Sequence, residues 1–118
     1  MRINTKVTLA PGTPINVAAA LELTDNHMAN RVSIQMATGG SGLGYVMDGI
    51  AVGRTPATTN ASDVTVELYP ATSTAPGGQY SDPEAAIDFS MSPAIDLSML
   101  WIDGAEADPV RISAVLNI

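Results

Sequence analysis

Apolar residues in this chain recur mostly at every second position, the period of an extended strand with one buried face, not at the three- and four-residue spacing of a helix. In RVSIQM, Val32, Ile34 and Met36 fall on one side and Arg31, Ser33 and Gln35 on the other. Thr5, Val7 and Leu9 share a face of a first strand, which the turn-forming run APGTP at 10–14 closes; Ile15 and Val17 begin a second. DVTVELY carries the cleanest alternation, Val64, Val66 and Leu68 against Asp63, Thr65 and Glu67. Four further segments complete about eight short strands punctuated by Gly, Pro and Asp turns. They are LGYVM, AIDFSM with Ile87 and Phe89 on one face, AIDLSMLWI over 94–102, and VRISAVLN over 110–117.

Such a pattern predicts an all-β, single-domain antiparallel sandwich or barrel over residues 1–118. The best helical stretch is VAAALELTDNHM, Val17 to Met28, which reads equally as a strand and a loop. Two long loops stand out, GRTPATTNAS at 53–62 and PATSTAPGGQYSDP at 70–83. Loops of that length in a small domain are usually contact surfaces or arms.

A chain that is 46% hydrophobic but only 14% charged must build its surface from Ser, Thr, Asn and Gly, with apolar groups left over for contact with a partner. Twelve acids against five basic residues give a net charge of −7, which argues against nucleic acid and against anionic membranes as partners. No cysteine is present, so neither disulfides nor thiolate metal sites contribute. The N-terminal MRINTKVTLAPG has no apolar run of signal-peptide length, and no later segment approaches a membrane span.

The chemically suggestive residues do not assemble into a catalytic set. RVSIQMATGGSGLGYVMDG holds Gly39, Gly40, Gly42 and Gly44, but a phosphate loop must run into a helix and end in lysine and a hydroxyl. Here the glycines run into Tyr45 and Val46, so a hairpin connection using positive φ is expected. His27 is the single histidine; with Asp25 nearby it reads as a polar loop residue, since one ligand is not a site. The acids Asp82, Glu84, Asp88, Asp96, Asp103, Glu106 and Asp108 cluster late, where paired carboxylates would suit glycoside hydrolysis and DGAEAD, 103–108, a cation loop. That loop lacks the alternating order of a calcium site and reads as a solvated turn. Trp101 is the largest apolar group and reads as core or subunit interface. No cofactor and no enzymatic activity are expected.

Three segments carry a family resemblance: KVTLAPGTPINV, NRVSIQMATGGSGLGYVMDG and AIDLSMLWIDGAEADPVRISAVL. Their strand-and-turn skeleton resembles the small capsid decoration, or cement, proteins of tailed bacteriophages, over roughly two thirds of the chain, missing the two long loops. The resemblance implies a β-sandwich of jelly-roll type on the outer capsid surface of the virion, bound to the major capsid protein as a dimer or trimer and clamping neighbouring subunits. The expected contacts are the N-terminal strand with Lys6 and Val7, the loop at 70–83 with Tyr80, the residues Arg31, Arg54 and Arg111 facing capsid carboxylates, and Trp101. Rival expectations are a carbohydrate- or host-surface-binding jelly roll, which needs Tyr69, Tyr80 and Trp101 on one rim, and a fibre or tail component.

Overall fold

The computed structural model describes residues 1–24, 28–75, 77–82 and 95–116. Among these described residues nine strands run in chain order: β1 Arg2–Thr8, β2 Ile15–Asn16, β3 Met28–Met36, β4 Gly44–Met47, β5 Val66–Leu68, β6 Gln79–Asp82, β7 Ile95–Asp96, β8 Trp101–Gly104 and β9 Pro109–Leu116. A single helical turn, α1, covers Val17–Ala20, and a 3-10 turn covers Leu97–Met99.

The pairings follow one rule. β1 pairs β9, β2 pairs β8, β3 pairs β6 and β4 pairs β5, all antiparallel, as in a long hairpin folded at its middle. Wrapping that hairpin brings β9 against β3 and β8 against β4, which yields two sheets, β1-β9-β3-β6 and β2-β8-β4-β5. This is the jelly-roll sandwich, with β7 added as a short pairing at the start of β3.

One continuous core joins the sheets. Val32, Ile34 and Met36 of β3 and Val110, Ile112, Ala114 and Leu116 of β9 face Val46, Leu68 and Ile102 of the second sheet. Leu9, Val17, Leu21, Leu97 and Leu100 close the ends. The alternation of β3 and β9 is therefore the direct cause of the layer: each inward side chain leaves water while its neighbours in sequence stay outside.

Several expectations change in three dimensions. β3 and β4 lie in different sheets, so the glycine-rich stretch is a crossing between layers and not a hairpin. Among its four glycines Gly39 alone takes positive φ, +90°, while Gly42 is needed for close approach, since a Cβ there would lie 2.7 Å from Glu106 Cγ.

The AIDLSMLWI strand is broken: Asp96 Oδ1 accepts from Ser98 N at 3.0 Å and from Ser98 Oγ at 2.6 Å, which turns the backbone into the 3-10 segment between β7 and β8. The long loop at 70–83 contains β6, an edge strand whose Gln79 and Ser81 share the outer side with Gln35 and Ser33. Instead of a helix from Val17 to Met28 there is one turn, N-capped by Asn16 and ended by Glu22 at φ 58°. There Leu23 N donates to Ala18 O and Glu22 N to Ala19 O, a Schellman closure. Finally, DVTVELY reverses part of its alternation: Asp63 is 4% exposed and Val66 36%. AIDFSM, with Ile87 and Phe89, lies outside the described residues, as do Asp25 and His27.

Candidate functional site

The carboxylates hold loops. Asp63, buried at the end of the 53–62 loop, receives Arg54 Nη2 on Oδ1 at 2.5 Å, and its Oδ2 receives Arg54 Nη1 at 3.2 Å and the Ala57 N–H at 3.1 Å. Its own N–H donates to Asn60 O, so the carboxylate closes the loop on itself. The Arg54 hydrogen bonds first, and the Ala57 N–H second, hold Asp63 below its ordinary range.

Asp108 does the same for the glycine-rich crossing: Ser41 N and Gly42 N both donate to its Oδ2, at 2.9 and 2.7 Å. The glycine stretch thus cradles an anion after all, but the anion is a side chain of its own protein. Asp48 accepts from the Tyr80 hydroxyl at 3.0 Å and from Gly49 N at 2.7 Å. Asp103, 1% exposed, accepts from Gly104 N on Oδ1, while its Oδ2 and the indole Nε1 of Trp101, two residues back on β8, are buried without a hydrogen-bond partner. The DGAEAD turn is therefore not uniformly solvated: both terminal aspartates are buried. Among the described residues no three His, Asp or Glu side chains group as metal ligands.

The basic residues are arranged differently. Arg54 is engaged by Asp63, but Arg2, Lys6, Arg31 and Arg111 make no ion pair with any described carboxylate. All four stand on the outer side of the first sheet. Arg2 and Lys6 alternate with the inward Ile3, Thr5 and Val7 of β1; Arg111 alternates with Val110 and Ile112 of β9; Arg31 precedes the inward Val32 of β3. Lys6 lies directly opposite Arg111, and Arg2 and Arg31 flank Val115 from either side. Between them Gln79 Nε2 donates to Ser33 Oγ at 2.6 Å and Ser113 Oγ to Asn4 Oδ1 at 2.5 Å. A shallow depression of about 280 Å³ opens among Arg2, Arg31, Ser33, Gln79, Ser81 and Ser113. The single acid in these four strands, Asp82, lies opposite Val32 and so on the other side of the sheet.

Of the residues singled out in the sequence, the fold brings Lys6, Arg31 and Arg111 together on one face and adds Arg2. Val7 and Tyr80 pack against the core, and Trp101 is half-buried on the outer side of the second sheet, opposite Met47. The three aromatics proposed as a rim are separated in role: Tyr80 is bonded to Asp48, Trp101 is half-buried, and Tyr69 is 78% exposed. The large exposed hydrophobics among the described residues are Met1, Val52, Val66 and Tyr69, in separate segments apart from the last two.

The charge face was half legible. Parity in each strand puts every one of these cations outward, whereas only the sheet order makes β1, β9 and β3 neighbours. No family model, no curated protein and no solved structure matches this chain.

Proposed function

We propose that the protein is a non-enzymatic structural component of a tailed-phage head, binding the outer surface of the capsid as a small homo-oligomer and bridging neighbouring major capsid protein subunits. The observation that carries this reading is the use of the carboxylates. Asp48, Asp63, Asp96 and Asp108, which a hydrolase would need free and facing a groove, are tied to backbone N–H groups, hydroxyls or Arg54 and hold loops rigid. A rigid sandwich with fixed loops suits a clamp. The strand-and-turn resemblance supplies the kind of assembly; the fold alone does not, because jelly rolls serve many functions. Mechanically, each copy adds contacts that must break before neighbouring subunits separate, and many weak bridges act together through avidity.

The test is the number of copies per major capsid protein in purified particles of the source phage, by quantitative mass spectrometry. A ratio of one or a simple fraction is expected. A few copies per particle would assign the chain to a fibre or tail, and absence from particles would overturn the reading.

A further inference from the structure

We infer that the outer face of the β1-β9-β3-β6 sheet is a docking surface, and that its partner is a protein surface rich in Asp and Glu. The face carries Arg2, Lys6, Arg31 and Arg111, four of the five basic residues in the chain, and, among the described residues of these four strands, no outward carboxylate; Asp96 of β7, opposite Met28 at the margin of the sheet, is taken up by Ser98. Since the whole chain stands at −7, removing these four charges leaves −11 on everything else. Folded surfaces normally intersperse the two signs.

The local placement is also unfavourable in the free protein. Lys6 and Arg111 sit directly across from each other on paired strands, where like charges destabilise a sheet. With twelve acids in the chain, none is used to relieve that pair among the described residues. Carboxylates supplied by a partner would relieve it, and guanidinium groups suit bidentate carboxylate recognition.

The occupant follows from charge and size. A second copy meeting this face with its own would set four cations against four, so a two-fold dimer through the face is disfavoured. Four strands at about 4.8 Å spacing, from four residues in β6 to nine in β3 at about 3.4 Å each, make a patch of roughly 450 Å². That is about half the area each partner contributes to a standard protein interface, which predicts weak, salt-sensitive single contacts. A long polyanion or a charged bilayer would extend past the patch into the field of the −11 remainder, and the face has no aromatic platform for bases. A compact acidic protein patch meets only the cations. Because the sheet face is flat and polar, such a patch would be read by charge and hydrogen bonds with little apolar burial.

This inference takes its partner from the proposed capsid role, but its chemistry stands on the face alone, so two probes separate them. The first is binding of the whole chain to immobilised poly-L-glutamate at about 50 mM salt, with heparin and phosphatidylserine vesicles in parallel. Binding to polyglutamate is expected to exceed both. It should fall about tenfold or more in the double variant Arg31→Glu, Arg111→Glu, and should vanish at about 1 M salt.

Lys6→Gln guards against a folding artefact: it removes the like-charge pair, so it is expected to melt no lower than the parent while binding more weakly. No binding to polyglutamate, equal binding by the double variant, or tighter binding to heparin or vesicles would overturn the inference. The second probe is rebinding to capsids stripped of the protein. Equal rebinding by parent and double variant would overturn the docking face and leave the capsid role standing; absence from particles with charge-dependent polyglutamate binding would do the reverse.

Discussion

Asp108 shows how much one side chain organises. Its Oδ2 receives two backbone N–H groups from the crossing between β3 and β4, and both would be left without a partner in Asp108→Ala. The expected cost is about 1 to 3 kcal/mol, read by urea unfolding. An unchanged midpoint would show that the crossing does not depend on it.

Asp63 makes a prediction with a sign in pH. Its folded pKa lies below the ordinary 3.8, so its contribution is fully present above that value and is lost as pH falls through the lowered one. The stability gap between the parent and Asp63→Asn should therefore be constant near neutrality and narrow as the solution is acidified below about pH 4, measured by denaturant titration. A gap that widens with acid would contradict the assignment. Glu22, left-handed at the end of α1, is strained for a residue with a Cβ, so Glu22→Gly is expected to raise stability by about 0.5 kcal/mol once glycine's greater chain entropy is subtracted.

At the scale of elements, the strands that carry most of the inward core were the legible ones. β9 alternates throughout and β3 alternates from Arg31 to Met36, past the irregularity between Ala29 and Arg31, and the inward residues of those stretches can be named from period alone. β5 could not be read this way. It is a three-residue edge strand, so one flank has no neighbour to cover Val66, while the preceding loop turns Asp63 inward to meet Arg54. Val66→Thr is accordingly expected to change stability by no more than about 0.5 kcal/mol, whereas Gly42→Ala, which would press a Cβ against Glu106, should cost about 1 to 3 kcal/mol. Comparing the two by thermal melting tests whether loop approach outweighs strand alternation. β6 was hidden for a related reason: in QYSD only Tyr80 is apolar, and a polar edge strand looks like loop in sequence.

The molecule as a whole is a wrapped hairpin ladder with its charges sorted. Pairing first with last, second with next to last and so inward places the N-terminal strand beside the C-terminal one, which is why Lys6 meets Arg111 across 105 positions of chain. Sorting charge in this way leaves both a cationic sheet and an acidic remainder under self-repulsion. Adding salt to about 0.5 M should therefore raise the melting temperature by a few degrees. A fall would mean that pairs such as Arg54–Asp63 dominate.

The two-residue period by itself determined the fold class, the inward residues of the main strands and the outward direction of each cation, because a strand's side chains alternate whatever it pairs with. Which strands became neighbours, which carboxylate turned inward to close a loop, and hence that scattered basic residues form one face, was decided only by the tertiary structure. Pairing joins segments remote in sequence, and a single sequence encodes direction along a strand but not the identity of the strand beside it.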